Sequence, residues 1–192
     1  MINDKAFLFT FSTIYKFLVL SIKCLYLSGF VPVLPRGLVN FNYGFHGCVH
    51  LGNEMDPNQS AKEPTRVSFP ASPDKYHTIV FVDAESRALH WLLVNIPGPK
   101  VKEGNTIAVY QPPSSRLSSE SHRYVVVALE QSGAILYGLE DYSASFCDWK
   151  KREMFDLSNF MQKFNLEVVA GNFFKSIPNQ TFAEQQCNYT YI

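Results

Sequence analysis

Residues 124–129 (Tyr124, Val125, Val126, Val127, Ala128, Leu129) form an unbroken apolar run dominated by β-branched side chains. Such side chains lose rotamer freedom in a helix and pack well on a pleated surface. A strand with no polar alternation must be covered on both faces, so this one belongs at the centre of a sheet and needs strands on either side. Partners of matching character precede it at residues 78–83, 90–96 and 106–110, and a shorter strand is expected over 168–174. Pro97-Gly98-Pro99, Gly104-Asn105 and the Ser-rich stretch 112–121 punctuate them as turns. One late helix is predicted, capped by Asp156, with Leu157, Phe160 and Phe164 at helical spacing on one face. The expected class is mainly β (α+β).

At 192 residues and 46% hydrophobic content, the chain suits one core and is too apolar for disorder. Lys+Arg and Asp+Glu balance at 17 each, which leaves no long-range field to steer the protein onto nucleic acid. Any RNA contact would run through a local patch or a partner. Cys24, Cys48, Cys147 and Cys187 form no C-x-x-C pair, so zinc and thioredoxin-like sites lack their spacing. Buried or partly buried thiols are expected, although an even count would permit two disulfides in a secreted chain. No G-x-S-x-G, H-E-x-x-H or P-loop string occurs, and nothing in spacing or context recommends Cys147 with His122 as a thiol–imidazole pair. A non-enzymatic protein without metal or cofactor is expected.

Three regions are expected: a hydrophobic segment over 1–35, a globular domain over 36–182 and a tail over 183–192. Lys16 and Lys23 interrupt the first segment and disfavour a transmembrane helix, which leaves a secretory signal, a peripheral membrane anchor or non-native sequence. Sequons at Asn58, Asn179 and Asn188 would matter only in a secreted chain.

Two strings are distinctive: Leu89-His90-Trp91-Leu92-Leu93-Val94-Asn95-Ile96-Pro97-Gly98 and His122-Arg123-Tyr124 with the run that follows. With Val169-Ala170-Gly171-Asn172-Phe173-Phe174 downstream, they resemble the phosphatidylethanolamine-binding-protein family in order and spacing. Asp83-Ala84-Glu85-Ser86-Arg87 looks like an eroded D-P-D-x-P-x-R signature of that family. The resemblance covers residues 53–174. It implies a large central antiparallel sheet packed on a smaller sheet, few peripheral helices, and a small surface pocket for an anionic head group.

In that pocket His90 and His122, from different strands, would face a phosphate oxygen, Tyr124 would add a neutral donor, and Asp83 would orient an imidazole through its second N–H. Taken alone, each residue also has a structural reading: a hydrogen-bonded core histidine, a core tyrosine, an aspartate capping a turn. The pocket departs from the family pattern. Phe81 and Val82 replace the signature's first aspartate and its proline, and Pro112 and Ser114 stand where backbone-donating glycines are expected.

Tyr110-Gln111-Pro112-Pro113, with Gly52-Asn53-Glu54 upstream, is similar to one branch of the family, the mitochondrial ribosomal large-subunit protein that carries this domain. This ranks first a structural role among mitochondrial ribosomal proteins, with rRNA contacted indirectly and a mitochondrial location. The alternative is a secreted or cytoplasmic protein that binds a phosphorylated small molecule or phospholipid head group and modulates kinases or proteases.

Overall fold

The computed structural model describes residues 30–113 and 120–177. Ser114, Cys24, Cys187, the sequons at Asn179 and Asn188, the tail 183–192 and most of the 1–35 segment lie outside the described residues. Nine strands are found in chain order: β1 (Gly37–Leu38), β2 (Asn40–Asn42), β3 (Asn53–Glu54), β4 (Arg66–Ser68), β5 (Tyr76–Asp83), β6 (Leu89–Pro97), β7 (Asn105–Ala108), β8 (His122–Gln131) and β9 (Leu166–Ser176). The one α-helix among the described residues is α1 (Leu157–Phe164).

Strands β9-β8-β5-β6-β7 run antiparallel in that spatial order, and β8 lies inside the sheet as its apolar run demands. The sheet is mixed at its other margin, because β1 and β3 both add to β9 in parallel. Strand β9 is longer than the sequence suggests; it begins directly after the left-handed Asn165 that ends α1. Strands β2 and β4 form the small second sheet.

Period-two alternation sorts the core into two layers. Val80, Val82, Leu92, Val94, Val125 and Val127 pack on one side with Leu157 and Phe160 of α1. Ile79, Phe81, Trp91, Leu93, Tyr124 and Val126 pack on the other with Phe41 of the small sheet. The Asp156 side chain accepts the Asn159 N–H at 2.9 Å and so caps α1. Phe30 and Val31 pack on the first layer, ahead of the boundary expected at 36. At Gly98, φ is +54° and a Cβ would stand 2.8 Å from the Pro73 carbonyl oxygen, so the Pro-Gly-Pro turn admits only glycine there.

Arg152 is fully buried. Its guanidinium donates to five backbone carbonyls: Leu89, His90, Val109, Ala144 and Ser145. It thereby ties the start of β6, the chain after β7 and the segment 144–152 together. Burial holds its pKa down at about 10, still cationic at neutral pH. Arg152→Met keeps the stem but strands those carbonyls, each costing about 1–3 kcal/mol when buried and unpaired. We expect a loss of stability of at least about 3 kcal/mol, read as a lower urea midpoint at unchanged slope.

Candidate functional site

Four side chains singled out in the sequence come from three adjacent strands. Asp83 ends β5, and Tyr124 stands opposite it on β8, so the register makes them cross-strand neighbours. His122, two residues before Tyr124, shares its face. Strict alternation would place His90 with Leu92 and Val94 on the opposite layer. A β-bulge prevents this. Phe81 pairs with Trp91 and Val82 with Leu89, so His90 is the extra residue between them. Bulges re-aim side chains, and here the His90 ring lies 5.6 Å from Phe81 and 5.3 Å from Tyr124, on the layer of the small sheet. Arg152 and the Gln111 N–H fix the bulge by donating to the His90 carbonyl.

His122 donates from Nδ1 to Asp83 Oδ2 at 2.6 Å. The other oxygen of Asp83 accepts the backbone N–H groups of Glu85 and Ser86. Burial alone would raise the Asp83 carboxyl; the hydrogen bonds from His122 and Ser86 outweigh it and hold the group below its ordinary value. His90 donates from Nδ1 to the Gln111 carbonyl at 2.9 Å, which leaves Nε2 as a bare acceptor in the neutral ring. Burial pushes the His90 imidazole down to about 4. Tyr124 is fully buried, and burial, followed by the Asp83 charge, pushes its phenol well above the usual range.

His90 Nε2, the Tyr124 hydroxyl and the Trp149 indole N–H are all buried without a hydrogen-bond partner among the described residues. Trp149, whose ring is 6.2 Å from His90, was not singled out from sequence, nor was Arg152. A tryptophan two residues after a cysteine carries no recognisable motif. Phe81 occupies the position of the missing carboxylate. Its ring is fully buried and stacks on Tyr110 at 5.8 Å and Phe174 at 6.1 Å, so it fills core space and offers a ligand no polar atom.

Asp83, Glu85 and His122 bring donor atoms within 4.8 Å of one another, close enough for a metal. Glu85, however, accepts from the side chain and backbone N–H of Arg123, and Asp83 from His122, so coordination would break two charge-assisted contacts. The arrangement fits a hydrogen-bonded network better than a metal centre.

Unfolded His90 takes up a proton below about 6.5, but folded His90 only below about 4. Between these values the unfolded state binds more protons, so stability falls with pH across that window and is fully present above it. We expect His90 to contribute a loss on the order of 3 kcal/mol between pH 6.5 and 4, and His90→Gln to flatten that part of a urea-midpoint-versus-pH curve. Asp83 acts in a separate window: its stabilisation is lost only as pH falls below its ordinary value of 3.8.

No family model matches the chain. It is 31% identical over 163 residues to a 26 kDa secreted antigen of Toxocara canis, covering 78% of this chain and 61% of that protein. The chain therefore spans less than two thirds of that relative. It is 29% identical over 152 residues to a putative odorant-binding protein A5 of Drosophila melanogaster, covering 74% of this chain and 71% of the other. Among solved structures, the solution structure of CG7054 superposes with a TM-score of 0.66 at 23% identity, covering 86% of this chain and 97% of that one. The phosphatidylethanolamine-binding protein of Plasmodium vivax gives a TM-score of 0.60 at 18% identity, covering 80% and 93%. The carboxypeptidase Y inhibitor, solved with its cognate proteinase, gives 0.60 at 18%, covering 77% and 86%. Two packed sheets of unequal size, one peripheral α-helix among the described residues and these superpositions identify the chain as a domain of the phosphatidylethanolamine-binding-protein fold.

Proposed function

We propose that the chain is a secreted, non-catalytic member of the phosphatidylethanolamine-binding-protein family that takes a small phosphorylated ligand, a phosphate monoester or phospholipid head group. The observation that carries this reading is the pair of buried, unpartnered polar atoms, His90 Nε2 and the Tyr124 hydroxyl, beside the Asp83–His122 hydrogen bond. Each such atom costs about 1–3 kcal/mol while unsatisfied. A phosphate monoester in its singly protonated form has the complementary groups: its P–OH donates to His90 Nε2, and a phosphoryl oxygen accepts from Tyr124. Asp83 orients His122 by accepting its Nδ1–H. Phe81 removes one polar contact, which points to modest affinity.

The relatives support this reading in two respects. One is described as a secreted antigen and another as a putative odorant-binding protein. A modulatory role toward proteases fits the description of the carboxypeptidase Y inhibitor as a partner of a proteinase. Cysteine chemistry supports secretion as well. The two described cysteines depart from the expected buried or partly buried thiols: Cys48 is an exposed thiol and Cys147 is disulfide-bonded. Disulfides persist in oxidising compartments.

A second reading is a structural component of the mitochondrial ribosomal large subunit, docked on its proteins. It rests on Tyr110-Gln111-Pro112-Pro113, all buried. Tyr110 donates to the Ser60 carbonyl at 2.7 Å and Gln111 holds both His90 and the Cys147 N–H, so the string serves as internal support. Co-sedimentation of tagged protein with mitochondrial large subunits would establish this second reading; recovery in the medium alone would end it.

For the binding reading, titration with phenyl phosphate at millimolar concentration is expected to move the His90 and His122 imidazole resonances and leave those of exposed His46 and His50 in place. Unmoved His90 and His122 signals would overturn it. For the disulfide, alkylation of the unreduced protein followed by peptide mass mapping is expected to label Cys48 and spare Cys147.

A further inference from the structure

A cleft of about 740 Å³ opens on the small-sheet side of the molecule, away from the histidines: none of Asp83, His90, His122 or Tyr124 lines it. Its floor is Trp91 and Leu93, which alternate onto one face of β6. Its walls are β4, through Arg66 and Val67, and the β6–β7 connection with Thr106 of β7. β4 ends its sheet, with β2 on one side only; the outer edge of β7 is already partly paired, since the Ile107 carbonyl accepts the Ala144 N–H and Ala108 bridges Ala144 in parallel. A terminal strand carries backbone donors and acceptors along its outer edge, the groups that an added extended chain would pair with.

Two further observations define what would lie there. Trp91 is 94% buried, lines the cleft, and its indole N–H has no acceptor among the described residues. A buried donor of this kind calls for an acceptor such as a peptide carbonyl. The rim carries an excess of positive charge. Lys100 is paired with Glu103 at 3.2 Å, but Arg66 and Lys102 have no carboxylate partner among the described residues, and Glu63 is the only other acid lining the cleft. A donor on an apolar floor, the open edge of β4 and a cationic rim together match a polypeptide in extended form. Its backbone would supply carbonyls and its acidic side chains would meet the rim.

We propose that this cleft is a second binding site, which takes an extended polypeptide segment carrying Asp or Glu, with Trp91 donating to its backbone and Arg66 and Lys102 facing its carboxylates. The test begins by panning a random peptide phage library against the immobilised full chain. An enriched sequence is then synthesised and titrated into isotope-labelled protein. The chain holds only two tryptophans, so the two indole N–H resonances can be assigned with Trp149→Phe and read separately. The expected result is enrichment of acidic peptides that shift the Trp91 indole signal and leave Trp149 unmoved, with the exposed pair Arg66→Glu and Lys102→Glu weakening Kd by about tenfold. The double variant should keep the wild-type amide spectrum, since both side chains are exposed. Absence of enrichment over an uncoated surface would overturn the proposal. So would peptides that shift Trp149 or the His122 imidazole instead, or that bind the charge-reversed variant equally well.

Discussion

One guanidinium, withdrawn from water and given no carboxylate in its first contacts, organises the end of the sheet where the candidate site lies. Arg152 donates to carbonyls from three separate stretches of chain. A buried cation is tolerated where its donors find acceptors with good geometry, and arginine's fixed fork brings both terminal nitrogens to carbonyls, leaving Nε alone without a partner among the described residues. Arg152 shares the work of joining the start of β6, the segment after β7 and the segment carrying Trp149 with Gln111, which holds both His90 and the Cys147 N–H. Hydrogen bonds from Arg152 N–H to Trp149 and from Leu89 N–H to Arg152 close the same knot from the backbone side.

The knot matters because it stabilises an irregularity. Bulged ladders lose a regular pair of hydrogen bonds, and the unpaired carbonyl of His90 must go elsewhere. It accepts from Gln111 and Arg152 instead. That compensation lets an imidazole of the wrong parity reach the layer where Tyr124, Phe81 and the Asp83–His122 pair lie. The same environment keeps it uncharged. His90 is therefore an acceptor held in an aromatic box, whereas His122 donates to the Asp83 carboxylate beside it. The two imidazoles have unequal roles because one faces rings and the other an aspartate.

Much of the fold was legible because β-branched runs and Pro/Gly punctuation are local signals. The central position of β8 followed from its missing polar alternation, and the start of α1 from Asp156. Strand β9 was read too short because Glu167 and Lys175 break its apolar pattern at the ends, where pairing with β8 and β3 decides the matter. The convergence of Asp83, His90, His122 and Tyr124 was anticipated through family resemblance. Residue parity alone would have sent His90 to the other face, since a bulge leaves no mark in the sequence. Trp149 and Arg152 were invisible for a related reason: their roles depend on where a loop of irregular turns is folded back. The disulfide at Cys147 was likewise unreadable, because an even cysteine count permits bridges without requiring them.

The parallel margin of the main sheet bears on how the molecule is made. Gly37 and Leu38 find their partners at Ala170 and Gly171, and Asn53 and Glu54 theirs at Phe174 and Lys175. A chain emerging from its amino end has exposed these early segments long before β9 exists. Contacts of such long separation close slowly, because the intervening loop entropy must be surrendered first. The early strands are then the last to be secured, and until β9 is in place the apolar ladder of β8 lies open along one side. Securing the early strands thus waits on β9, and the sheet is most exposed to mispairing in the interval before that strand docks.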